Sequence, residues 1–263
     1  MKIVAGDLTL GYEEAGAGIP LVLVHGFPSN RALWSAQLRG LSRQCRCIAP
    51  DVRGFGESDV APPYSMDTYA DDVAHLLDAL EIERAVIGGQ SMGGYITFAF
   101  WRRHRDRVLG LVLADTRAQA DTPDAIAKRH AMMALARAQG ASAVADEMVA
   151  GSTGKSTRRR HPELVDSVRA MYAAAPVEAI TGALEAMASR PDSTPTLATI
   201  DVPTLIVVGE EDVLTPVADS RALHASIAGS RLEILKGAGH VSNAERPAAF
   251  NHVLGEFMHE LAQ

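Results

Sequence analysis

A chain of 263 residues with 47% hydrophobic content can bury roughly 70–75% of the surface its unfolded form exposes, so one large domain with one core is expected. Lys plus Arg number 25 against 32 Asp plus Glu, and the net charge of -7 offers no broad positive surface to phosphate backbones or anionic lipid. Neither nucleic acid nor a membrane surface is an expected partner.

The opening residues, MKIVAGDLTLGYEE, hold one lysine and soon turn acidic, without the apolar stretch and small-residue cleavage site of a signal peptide. No run approaches the roughly eighteen apolar residues of a membrane helix. A cytoplasmic location is the expectation. Cys45 and Cys47 lie two apart in a predicted strand, on one face, and are read as reduced packing residues. A zinc site would need more ligands.

Short runs rich in Val, Ile and Leu then alternate with stretches of helical spacing. The runs are residues 20–25 (PLVLVH), 46–50, 85–88, 108–114 (VLGLVLA), 203–209 (PTLIVVG) and 232–235. Continuous apolarity in pieces this short predicts strands buried on both faces, as in a parallel sheet covered by helices. Residues 65–80, 92–104, 216–228 and 247–261 supply the helices. The expected class is α/β, with a mostly parallel central sheet of about eight strands.

Between Arg117 and Thr199 the alternation stops. This Ala-rich stretch holds Met132, Met133, Met148, Met171 and Met187, shows helical patterns only, and reads as an insertion between two strands. The division expected is core 1–116, helical cap 117–199 and core 200–263, with the cap as a lid over a site at the strand ends. Inside it, GSTGKST (residues 151–157) resembles a phosphate-binding loop, but Val149 stands where the motif needs its first glycine. It reads as a polar loop between helices, followed by a solvated run, Arg158, Arg159 and Arg160.

Gly89-Gln90-Ser91-Met92-Gly93 fits G-x-S-x-G and falls between a predicted buried strand and a predicted helix. That setting holds a serine on a strained turn, its oxygen exposed at a helix N-terminus, with glycines where a Cβ would clash. A hydroxyl needs a base to become a nucleophile, and the base needs an orienting carboxylate. His224, His252 and His259 lie in helical patterns, whereas His240 lies in a loop directly after a strand and is the candidate base. For the acid, spacing leaves Glu210, Glu211 and Asp212 open, and Asp115 too. Oxyanion donors are expected from the backbone N–H of Met92 and of Phe27, since Pro28 cannot donate and Gly26 lets the loop approach. His25 precedes the serine in a tight turn and reads as a hydrogen bonder that fixes its loop.

HGFP (25–28), DVRGFGESD (51–59), GGQSMGGY (88–95), VVGEEDVLTP (207–216) and GAGHVSNAERP (237–247) together resemble the α/β-hydrolase superfamily, in the family's order and over nearly the whole chain. The resemblance implies Ser91 as nucleophile, Asp212 as its acid through G-x-x-D-x-x-T-P, His240 as base, and Phe27 and Met92 as oxyanion donors. It implies no cofactor and no metal. Within the superfamily the chain looks most like the small carboxylesterases and 3-oxoadipate enol-lactonases. Related dehalogenases and epoxide hydrolases share D-x-R-G-x-G-x-S but use aspartate where this chain has Ser91. The expected activity is hydrolysis of small to medium carboxylic esters or lactones through an acyl-enzyme. The same residues would serve a cofactor-free perhydrolase, and the fold also occurs in ligand-binding sensors. Oligomeric state is not readable from the sequence.

Overall fold

A computed structural model describes residues 1–263 and arranges eight strands in one sheet. The first half of the chain runs β1 (Lys2–Ala5), β2 (Leu8–Ala15), β3 (Pro20–Val24), α1 (Ser35–Leu41), β4 (Arg46–Pro50), α2 (Met66–Ala79), β5 (Ala85–Gln90), α3 (Met92–His104) and β6 (Val108–Ala114). Five helices follow without a strand: α4 (Pro123–Ser152), α5 (Lys155–Arg160), α6 (Pro162–Ala173), α7 (Val177–Ala188) and α8 (Thr194–Leu197). The chain closes with β7 (Thr204–Gly209), α9 (Val217–Ser226), β8 (Arg231–Leu235), α10 (Ser242–Glu245) and α11 (Pro247–Leu261).

Across the sheet the order is β1-β2-β4-β3-β5-β6-β7-β8, parallel from β4 onward. Side chains alternate across each strand, so both faces need apolar residues where helices cover both. In β3, Leu21 and Leu23 join one apolar cluster with Trp34 and Leu254, while Val22 and Val24 join a second with Ile87 and Ile96. Burying each such side chain contributes about 1.5–3 kcal/mol. The α/β class and the mostly parallel sheet of the sequence reading hold.

The hairpin β1–β2 carries no continuous apolar run and is an addition to the strands read from sequence. Gly6, at φ +65°, and Asp7 form its two-residue turn, and Ala5 pairs with Leu8. Cys45 and Cys47 are free, fully buried and in one cluster, and burial pushes the Cys45 thiol up to about 11.

After β3 the chain crosses to β4 on one side and later to β5 on the other. The C-terminal ends of β3 and β5 therefore flank the crevice where open α/β sheets place ligands. The loop after β4 is fixed by Asp51, which is fully buried and accepts from Arg31 N, Glu57 N and the Arg31 guanidinium. Arg53 grips Asp72 of α2 through two hydrogen bonds of 2.8 and 2.7 Å.

Candidate active site

β5 ends at Gln90 and α3 begins at Met92, which leaves Ser91 alone to reverse the chain, at φ 55° and ψ -112°. A β-carbon on Gly89 would sit 2.0 Å from the Gly93 carbonyl oxygen, and one on Gly93 would sit 2.3 Å from the Val24 carbonyl oxygen. Only glycine fits either place. Ser91 N donates to Ala114 O at 2.9 Å, and Thr116 Oγ1 donates to Ser91 O at 2.8 Å, so the end of β6 and the loop after it hold the strained turn in place.

Ser91 Oγ lies 2.8 Å from His240 Nε2, and His240 Nδ1 lies 2.8 Å from Asp212 Oδ2. A carboxylate only accepts, so Nδ1 carries a proton toward Asp212, and Nε2 of the neutral ring accepts from the serine hydroxyl. Asp212 accepts three further bonds: Leu214 N at 2.8 Å and Thr215 N at 3.0 Å on Oδ1, and Thr215 Oγ1 at 2.7 Å on Oδ2. His240 and Asp212 are 5% exposed each, so their mutual charge is little screened by water. Burial pushes the imidazole pKa down, but the Asp212 charge and hydrogen bond outweigh it and hold His240 above its ordinary value. Burial likewise raises Asp212, and the opposing charge and hydrogen bonds of His240 and Thr215 bring it below its ordinary range.

The other carboxylates weighed from the sequence point elsewhere. Glu210 accepts from Gly237 N at 3.1 Å, and Glu211 accepts from Ser156 N and Oγ at 2.8 and 2.7 Å. Asp115 is fully buried and accepts from Gly209 N at 2.8 Å and Ser242 Oγ at 2.6 Å, tying the end of β7 to α10.

Residues 25–28 pass directly over the serine turn: a β-carbon on Gly26 would lie 2.1 Å from Gln90 Oε1 and 3.1 Å from Ser91 Cβ. Gly26 O accepts from Ser29 N and Ser29 Oγ, at 3.0 and 2.6 Å. His25 bridges two loops: Nδ1 donates to Gly26 O at 2.9 Å and Nε2 accepts from Val52 N at 3.0 Å. Burial drives its pKa down against the pull of Asp51, which keeps it neutral in this role. Phe27 follows Gly26 in this loop, and Met92, first in α3, has an N–H that its own helix cannot satisfy.

Residues 19–247 match the family model described as the alpha/beta hydrolase fold. The chain belongs to the α/β-hydrolase family. It is 31% identical over 259 residues to 3-oxoadipate enol-lactonase 2 of Acinetobacter baylyi, covering 97% of this chain and 95% of the relative. Among solved structures it is similar to a thermophilic esterase from Thermogutta terrifontis, with 39% identity, a TM-score of 0.96 and coverage of 100% and 99% of the two chains. An enol-lactonase from Burkholderia xenovorans LB400 matches at 29% identity and TM-score 0.91, over 98% and 100%.

In this α/β-hydrolase, α4 and α7 of the inserted helices, Arg117 at the start of the insertion, and the core residues Phe27 and Leu214 wall a cavity of about 310 Å³. Met132 and Met148 line it, whereas Met133 and Met187 pack into the core. Arg129 of α4 also lines the cavity, but its charge is taken up by Asp121, which binds Arg190 as well, at 2.7 Å. GSTGKST is more buried than a polar surface loop: Ser152 and Thr157 are fully buried and Thr153 is 2% exposed. Arg158, Arg159 and Arg160 are exposed, in α5. Two further residues bear on the site and carry no local sequence signal. Gln90 Nε2 donates to His240 O at 2.6 Å, and Glu245 accepts from Gly239 N at 2.8 Å. Gln90 and its partner lie 150 residues apart, and Glu245 also accepts from Gly154 N, 91 residues away, contacts that only the fold creates.

Proposed function

We propose that the chain is a serine hydrolase of small to medium carboxylic esters or lactones, with Ser91 as nucleophile, His240 as base and Asp212 as its orienting acid. The observation that carries this reading is the unbroken hydrogen-bonded line from Ser91 Oγ through His240 to Asp212, on a strained turn at the mouth of the sheet. The esterase and enol-lactonase relatives support the same class of substrate.

In the first half-reaction His240 Nε2 takes the Ser91 proton as Oγ bonds to the carbonyl carbon. The carbonyl π pair moves to oxygen, and the N–H groups of Phe27 and Met92 receive the oxyanion. Collapse reforms the carbonyl and breaks the bond to the alkoxide, which takes the proton from His240. A lactone keeps that alcohol attached to the acyl chain. In the second half-reaction His240 removes a proton from water, hydroxide adds to the acyl carbon, and collapse returns the proton to Ser91 Oγ and releases the acid. Asp212 stays ionised throughout, holding the tautomer and facing the imidazolium. Each proton leaves and returns through one nitrogen.

The helical insertion 117–199 serves as the cap in this reading. Met132, Met148 and Leu184 offer an adaptable apolar wall for the acyl or alcohol part. The test is turnover of p-nitrophenyl acetate and butyrate by wild type and Ser91→Ala. Wild-type hydrolysis with loss of about 10⁴-fold or more in the variant, at unchanged circular dichroism, is expected. Hydrolysis by the variant at the wild-type rate would sink the assignment.

A further inference from the structure

The stretch that resembles a phosphate-binding loop has its backbone N–H groups occupied by the protein's own carboxylates. Gly154 N donates to Glu245 Oε2 at 2.9 Å, and Ser156 N donates to Glu211 Oε2 at 2.8 Å. Both carboxylates adjoin the candidate site. Glu211 precedes Asp212, and the second oxygen of Glu245 accepts from Gly239 N, the residue before His240, at 2.8 Å. Here the insertion meets the base loop backbone to backbone: a β-carbon on Gly239 would lie 2.2 Å from Gly154 N, and one on Gly154 would lie 2.8 Å from Gly239 N.

Three bonds hold the peptide units around His240. Gln90 Nε2 grips its carbonyl, Val241 N donates to Ser152 O at the end of α4, and Gly239 N rests on Glu245. The first comes from the serine turn and the second from the insertion. Glu245 alone touches both the insertion and the base loop with one rigid group. It is 5% exposed, and a carboxylate removed from water at this depth needs charge-assisted donors on both oxygens. Its two backbone partners supply them.

We propose that Glu245 is a positioning residue that couples the helical insertion to His240, by holding Gly154 N on one carboxylate oxygen and Gly239 N on the other. A shift of the insertion, on admitting substrate or releasing product, is then transmitted to the base loop, and the base is fully aligned only when the insertion is seated. This rests on the proposed role of His240.

Glu245→Gln tests it, because the amide keeps the shape but has one acceptor oxygen, so one of the two N–H groups loses its partner. The variant and wild type are compared by ester kinetics, by the rate of Ser91 modification with an organophosphonate, and by hydrogen exchange. The expected result is a fall of about 10- to 100-fold in kcat and in modification rate. KM should change less than kcat, the melting cooperativity should persist, and the amide of Gly239 or Gly154 should exchange faster. Glu245→Ala should lose more on every readout; if it fails to fold, the Gln variant alone decides. Wild-type kcat and modification rate in Glu245→Gln would overturn the coupling while leaving the hydrolase reading intact, as would a change in KM alone, or a loss of kcat matched by the loss of folded protein with Gly239 protection unaltered. A wild-type protein that neither hydrolyses esters nor takes the phosphonate on Ser91 would overturn both.

Discussion

A protonated His240 cannot take the hydroxyl proton of Ser91, so turnover by the proposed mechanism requires the neutral ring. Asp212 holds the imidazole above its ordinary value of 6.5 in spite of burial, and kcat/KM should therefore rise with pH through a limb lying above 6.5. Removing the carboxylate charge reverses the cause: Asp212→Asn should move the limb of any residual activity to lower pH and cost about 10⁴-fold in kcat, because the ring then favours the wrong tautomer. A pH–rate profile of both proteins checks this, and an unmoved limb would show that Asp212 does not set the histidine's charge. At this scale the sequence was uneven. His240 stood out because it alone among the later histidines follows a strand directly, but Glu210, Glu211 and Asp212 are consecutive, and nothing in their spacing tells which one faces the ring. The resemblance selected Asp212, and the fold sends Glu210 to Gly237 and Glu211 to Ser156.

Elements set the serine's position, and their contacts leave no slack. A methyl group on Gly93 would lie 2.3 Å from Val24 O, so β3 and α3 must separate to admit it. Gly93→Ala should cost about 1–3 kcal/mol of stability and a larger factor in activity, since the shift moves Met92 N–H and Ser91 together. Urea unfolding beside ester kinetics separates the two effects. The Arg53–Asp72 pair ties the loop after β4 to α2 with both side chains about 6% exposed. Breaking such a pair leaves a buried charge, and Arg53→Met should destabilise by about 3–5 kcal/mol, read as a lower urea midpoint at unchanged slope. The buried strands β3 to β7 were legible because a strand covered on both faces must be apolar throughout, and the partly buried edge strand β8 showed through its short run Leu232 to Leu235. The hairpin β1–β2 was not, because Lys2 and Val4 face water and Val4 is 69% exposed, so no continuous run marks it.

Over the whole molecule, the charges of the proposed triad and of Asp121 shape stability, the histidine and the carboxylates with opposite sign. His240 has a raised pKa when folded; its contribution is fully present below the unfolded value and is lost as pH rises through the folded one. Asp212 and Asp121 are lowered when folded; theirs is present above the ordinary carboxylate range and is lost as pH falls through the folded values. Burial opposes the lowering at both, and the partner charges of His240 for Asp212, and of Arg129 and Arg190 for Asp121, outweigh it. As pH rises above 6.5 and through the folded value of His240, activity should thus rise while this part of the stability falls. Urea midpoints measured against pH for wild type and His240→Gln should converge as pH rises; a constant gap would contradict the linkage. The order of segments along the chain was readable throughout, because each residue of the proposed triad follows a strand. How the inserted helices meet the core was not, since Gly154 and Glu245 are 91 residues apart and meet only in the folded chain. The central claim is that Ser91 is an activated nucleophile, and intact-protein mass spectrometry after organophosphonate treatment, followed by peptide mapping, tests it most directly. One adduct, on Ser91, with ester turnover lost in proportion is the predicted result; a folded protein that turns over esters yet carries no adduct on Ser91 would contradict it.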